Sequence, residues 1–232
     1  MKKIFTVLCL AMLSIASSPV SAQFKLGVKV GVSSNSFGYS YEDSDEEEAL
    51  QDATKSRIGY MVGLAAEYSF VEAVSLQTGL MLSNKGTKLE EEESGISFKA
   101  NSSLNYLEIP VNLAFKAGNF QVHAGPYIGI GLSGKSKSEY EFNGESESEE
   151  VKLMFKNKVS ESDLDDLDGD EDFARLTDFG LNLGAGYRIG SILVTATYSK
   201  GLSNITPKYE GVDDDDDKTT HKGISLAVSW FF

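Results

Sequence analysis

Apolar and polar residues alternate strictly along much of the chain. From residue 24 the sequence reads FKLGVKVGV, with Phe24, Leu26, Val28, Val30 and Val32 on one face and Lys25, Gly27, Lys29, Gly31 and Ser33 on the other. A period of two marks a strand, because successive side chains there point to opposite faces. The same pattern recurs at residues 58–68, 74–82, 107–115, 120–130, 179–187, 192–198 and 224–232. Eight amphipathic strands of roughly nine to eleven residues match what a tilted strand needs to cross a bilayer.

The connections alternate in length. Turns of hairpin size are expected near residues 70–73, 117–119 and 190–191, and long connections over residues 38–56, 85–103, 133–175 and 203–221. Four long loops and three short turns put the long loops at one end of the sheet and both termini at the other. The expected fold is therefore all-β, an eight-stranded antiparallel up-and-down transmembrane β-barrel with four long outer loops and three short periplasmic turns.

Charge follows the same division. The four long connections hold 31 of the 35 acidic residues, the exceptions being Glu67, Glu72, Glu108 and Asp178. Three of these, Glu67, Glu108 and Asp178, fall on the polar face of a strand. Lys25, Lys29, Arg57, Lys116 and Arg188 share that face with Gln77, Asn112, His123, Tyr127 and Asn182. An interior lined by such groups keeps them ionised where they are paired or hydrated.

Periodicity alone does not say which face meets lipid. A soluble eight-stranded barrel is apolar inside, a membrane barrel apolar outside. Glycines crowd the polar face, among them Gly27, Gly31, Gly59, Gly63, Gly125 and Gly184, as a narrow lumen requires. Phe24, Tyr68, Phe70, Phe115, Phe120, Tyr187, Trp230 and Phe232 gather at the turn ends, where an interfacial girdle would lie. Both features favour the apolar face outward. Two prolines complicate the strands: Pro110 and Pro126 stand almost opposite each other, and proline removes a ladder donor. A bulge or interrupted pairing is expected there.

The first 22 residues contain two lysines, an apolar run over 4–16 and small residues up to Ala22, the order of a secretory signal peptide. Residues 23–232 then form the barrel domain. The single cysteine, Cys9, lies in the apolar run, so disulfides are not expected to hold the mature chain. A formal charge of −14 argues against nucleic acid, which needs clustered Lys and Arg.

Candidate chemistry is sparse. Residues 162–173, SDLDDLDGDEDF, carry seven carboxylates around one glycine. With Gly169 at position 6 of a calcium loop, Asp166 and Asp168 occupy positions 3 and 5, but Leu164 and Arg175 occupy 1 and 12, so the strict motif fails. Asp166, Asp168, Asp170 and Asp172 remain as a looser, weak calcium site, against the usual reading of a charge run as a hydrated loop. No other cofactor is expected. The run DDDDDK at 213–218 reads as an exposed loop tip open to proteolysis. Of the two histidines, His123 points inward near the turn side and His221 falls at the outer rim. Ser225 follows His221 by four residues, but the neighbourhood lacks the pattern of a catalytic triad, and no enzyme activity is expected.

NYLEIPVNLAFKAG at 105–118, AGPYIGIGLSG at 124–134, TDFGLNLGAGYRIG at 177–190 and YSKGLSNI at 198–205 resemble the PorT-like outer-membrane β-barrel family of Bacteroidetes-type bacteria. The resemblance covers essentially the whole mature chain. It implies location in the cell outer membrane and carries no catalytic residue. It also implies an alternative role, since a founding member takes part in protein secretion across the outer membrane. The residues themselves point to a structural or surface-interaction protein with acidic outer loops and no open pore, because eight strands enclose a space that side chains fill. The partners expected are outer-membrane lipid, the barrel-assembly machinery through the C-terminal aromatic strand, and an envelope or secretion protein.

Overall fold

The computed structural model describes residues 23–40, 44–93, 96–142, 145–167, 169–211 and 218–232. The proposed signal peptide, the tip of the DDDDDK run and Asp168 lie outside the described residues.

Strand β1 (Phe24–Ser40) is followed by helix α1 (Ser44–Ala53), then β2 (Thr54–Val71), β3 (Val74–Glu93), β4 (Ile96–Ala117) and β5 (Phe120–Phe142). After these come β6 (Glu145–Phe155), β7 (Lys158–Val159), helix α2 (Glu161–Asp165) and β8 (Glu171–Ala174). The chain closes with β9 (Thr177–Ile189), β10 (Ile192–Gly201), β11 (Lys208–Tyr209) and β12 (Lys218–Phe231). Ten of these strands share one sheet, and the β4–β5 pairing closes it into a ring. The circuit runs β1, β2, β3, β4, β5, β9, β10, β12 and back to β1, with every neighbouring pair antiparallel. β6 and β8 add to the upper part of β5, and β7 pairs with β11 in a separate small sheet. Ring closure leaves the circuit no free edge to aggregate.

The turns fall where the alternation breaks, at residues 72–73, 118–119 and 190–191. Gly118 and Gly190 adopt φ of 61° and 58°, the left-handed conformation that a two-residue hairpin turn demands. The strands are longer than expected. β2 through β5 span 18, 20, 22 and 23 residues, so much of residues 85–103 and 133–155 is paired strand and not loop. The physical reason lies in what each signal reports. Apolar alternation ends where lipid ends, but the hydrogen-bonded ladder continues as long as a neighbouring strand supplies partners.

The apolar faces are outward: Val30, Val32, Ile58, Val62, Phe115, Val122, Leu183 and Leu226 are all exposed, while Asn112, His123, Asn182, Thr195 and Ser225 are buried. Phe70, Phe120, Tyr187, Trp230 and Phe232 are exposed at the turn end. Tyr68 and Phe70 meet edge to face at 5.2 Å, and Phe120 meets Tyr187 at 4.7 Å. No described helix is long and apolar enough to cross a membrane, which says nothing about a barrel.

The prolines do interrupt the ladder. β3 and β4 lose pairing between Thr78↔Val111 and Met81↔Glu108, and β4 and β5 between Pro110↔Tyr127 and Leu113↔Ala124. Register is unchanged across both gaps, so the defect is a local absence of bonds. A true register shift lies higher, at Asn105/Tyr106 in the β4–β5 pair.

Candidate functional site

The barrel interior holds two buried charge clusters, one near each end. At the turn end, Glu67 on β2 is fully buried. Its Oε1 accepts from Lys116 Nζ of β4 at 2.8 Å and its Oε2 from Arg188 Nη2 of β9 at 2.5 Å. Gln77 on β3 also donates to Oε2 at 2.8 Å, and it exchanges hydrogen bonds with Gln121 of β5. One carboxylate thus ties together side chains from strands on opposite sides of the ring. Below it an open mouth of about 380 Å³, bordered by Lys25, Lys116 and Arg188, lies at the turn end. Just above, Ala65, Leu193 and Phe231 pack into an apolar cluster, with the Arg188 guanidinium 5.0 Å from the Phe231 ring centre.

The second cluster centres on Lys85 of β3. Its ammonium sits 2.6 Å from Glu108 on β4 and 2.9 Å from Asp178 on β9. Asp178 also accepts from Ser203 at 2.7 Å and from Tyr127 at 3.2 Å. The Lys85 ammonium lies 4.2 Å from the centre of the Tyr127 ring. With one cation between two carboxylates, each ion is paired on burial, which offsets the cost of removing it from water. Above this cluster Tyr106 packs edge to face against His221 and Phe155, and His221 Nε2 lies 3.3 Å from the Tyr106 hydroxyl. Leu104, Tyr106 and Ala174 form the upper apolar core, with Phe37, Leu153 and Phe155 packed on it. Phe155 fits here because Gly131 has no side chain; a Cβ at that glycine would lie 2.0 Å from the ring.

Between the clusters, Lys29 borders two small cavities of about 70 and 30 Å³, each large enough for water but not for a solute path. Asn35, Asn84, Asn112 and Asn182 line the upper one. Arg57 donates to the amides of Asn84 at 2.5 Å and Asn101 at 3.0 Å and forms no ion pair among the described residues. His123 shares a 3.0 Å hydrogen bond with Thr197.

The inward charges inferred from strand parity are thus brought together at Glu67 with Lys116 and Arg188. Glu108 and Asp178 find a partner that apolar alternation does not delimit. Lys85 lies beyond the third apolar run, where a long connection is expected, yet it keeps the parity of Gln77, Gly79, Met81 and Ser83. Extending that parity past the last apolar residue would have found it. His221 is a correction of the same origin. It lies buried inside the extended barrel and not at the rim. Its Nε2 faces Tyr106 and Ser225 Oγ faces the Thr197 carbonyl at 3.4 Å, so the two do not form a nucleophile and base pair.

The acidic run after β7 divides among elements. Ser160 and Glu161 open α2, Asp166 ends it, Asp170 precedes β8 and Asp172 lies in β8. Asp163 pairs with Lys156 and accepts from the Ser160 backbone N–H at 3.0 Å. These contacts, the Lys156 one foremost, hold its carboxyl down at about 2. Among the described residues no group of three His, Cys, Asp or Glu is placed to hold a metal ion.

No curated protein matches the sequence. Solved structures similar to it include Ail, the attachment invasion locus protein of Yersinia pestis, at 14% identity, covering 90% of this chain and 99% of that one, with a TM-score of 0.38. Neisserial surface protein A shows 12% identity over 89% of this chain and 97% of its own, with a TM-score of 0.41. OprG of Pseudomonas aeruginosa shows 13% identity over 90% and 96%, with a TM-score of 0.31. The family model of the outer membrane protein beta-barrel domain matches residues 16–206. With that match over most of its length, a closing antiparallel ring and an apolar exterior, the chain belongs to the outer-membrane β-barrel domain family and is a protein of the cell outer membrane.

Proposed function

We propose that the protein is a closed eight-stranded barrel with a structural or surface-interaction role. The eight strands of the circuit cross the membrane, the short turns face the periplasm, and the extended strands with their acidic connections stand on the cell surface. The observation that carries this reading is the filled interior. The Glu67 and Lys85 clusters and the Phe231 and Tyr106 packing layers join opposite walls, and cavities of about 70 and 30 Å³ lie between them among the described residues. Such an interior stiffens a scaffold and leaves no channel, so recognition falls to what projects beyond the bilayer.

The PorT-like resemblance supports a second role, as an accessory of protein secretion or envelope assembly. Crosslinking in native membranes followed by pull-down separates the two. Recovery of the monomer supports the standalone surface role, and a stable complex with other envelope proteins supports the accessory one. In planar bilayers the purified protein is expected to show no conductance above leak.

A further inference from the structure

Beyond the apolar band, β3, β4, β5 and β6 continue as a sheet that leaves the ring. Its two faces differ sharply. The pairings Lys99↔Glu139, Asn101↔Lys137, Lys137↔Glu150 and Lys135↔Lys152 place the lysines on one face, with Glu139, Glu141 and Glu150 beside them. Lys135 and Glu150 are 2.9 Å apart there, and Lys137 and Glu139 2.5 Å apart. The other face continues the barrel interior through Leu104. On it Phe98 lies opposite Tyr140, and Tyr140 opposite Glu147. Phe142, Glu145 and Glu149 follow on the same face by alternation. Above Leu104 and its cross-strand neighbour Lys85, this face bears no lysine or arginine among the described residues.

Phe98 and Tyr140 are 36% and 45% exposed, so part of each side chain is open to solvent. Together with Ser138, Glu147 and Glu149 they border a surface cavity of about 380 Å³. An aromatic ring attracts a cation over its face, and a carboxylate beside the ring adds charge attraction. Alternate residues of a strand stand roughly 6.6 Å apart, so Glu145, Glu147 and Glu149 repeat at the spacing of alternate side chains in an extended peptide. A guard against edge-to-edge pairing needs charge alone. It does not call for aromatics open to solvent beside the charge, nor for the lysines above Leu104 to be kept on the opposite face.

We infer that this aromatic and acidic face binds an extended cationic peptide segment, its lysine or arginine side chains seated on Phe98 and Tyr140 and paired with Glu147 and Glu149. The inference rests on the surface-interaction reading and names the partner's chemistry.

The test uses the mature protein in zwitterionic detergent and a short labelled peptide of alternating lysine and threonine, read by fluorescence anisotropy. Tyr140→Ala is expected to weaken binding about threefold to fivefold, the worth of an exposed cation–π contact. Glu147→Gln with Glu149→Gln is expected to weaken it roughly threefold to tenfold. Glu141→Gln, on the opposite face, should leave it unchanged. All of these positions are exposed, so folding is preserved. Equal binding by every variant overturns the inference, and so does a loss in Glu141→Gln as large as in the Glu147 and Glu149 pair, since attraction to net charge alone then explains the data. Labelling of Ser146→Cys on intact cells by an impermeant maleimide tests the surface reading separately. A barrel that binds the peptide but is not labelled retains the site and loses only its proposed placement.

Discussion

Replacing Glu67 by glutamine isolates the worth of the lower charge cluster. The change keeps side-chain volume and removes one charge, leaving Lys116 and Arg188 as neighbouring cations without their common partner. Removing one member of a buried ion pair costs about 3–5 kcal/mol when the other remains fully buried. Here the side chains of Lys116 and Arg188 are 16% and 17% exposed and border the open mouth, so solvent access recovers part of that loss. We expect a destabilisation of about 2–3 kcal/mol. Equilibrium unfolding in urea from detergent micelles, followed by the fluorescence of the single tryptophan, Trp230, provides the assay. With a denaturant slope of about 2 kcal/mol per molar, the midpoint falls by roughly 1–1.5 M. Lys135→Ala is the control, because its ion pair with Glu150 is more than half exposed on both sides and should contribute within about 0.5 kcal/mol. A Glu67→Gln midpoint that moves no further than this control refutes the assignment of Glu67 as the tie between opposite walls.

Lys85→Met should destabilise the barrel by about 3–5 kcal/mol in the same titration, because Glu108 and Asp178 are left facing each other in the interior. Adding Glu108→Gln and Asp178→Asn should restore most of that loss, since the three groups share partners and their effects are not additive. At Asp163, outside the membrane, a depressed carboxyl pKa means that the Lys156 contact stabilises fully above the ordinary value of 3.8 and is lost as pH falls through about 2. Carbon-detected NMR titration should place the Asp163 midpoint near 2, and Lys156→Met should raise it toward the ordinary carboxylate range while the Ser160 hydrogen bond still holds it down.

The membrane-facing half of this protein is legible in one dimension. Val28, Val30 and Val32 alternate with Lys29, Gly31 and Ser33 because a strand with lipid on one side and a polar lumen on the other leaves a two-residue imprint wherever it runs. The turns are legible for a similar local reason, since Gly118 and Gly190 supply the left-handed conformation of a two-residue loop. The interruption at Pro110 and Pro126 also follows locally, because a missing N–H breaks a ladder bond whatever the neighbours are.

What parity could not settle is where the polar residues stop being strand and which of them meet. Lys85, Tyr106 and His221 lie past the last apolar signal, and pairing with adjacent strands carries the ladder, and with it the inward parity, as far as them. The meeting of Glu67 with Arg188, 121 residues apart, depends on ring closure and register, which involve the whole circuit. Alternation by itself determined that this chain builds two-faced strands, because each side chain's direction is a property of its own strand, and the glycines on the polar face with the aromatics at the turn ends pointed the apolar face outward. The tertiary structure alone decided which charges neutralise each other across the lumen and that β3 to β6 leave the ring with one aromatic and acidic face and one face of paired lysines and glutamates, because those are properties of strands brought together.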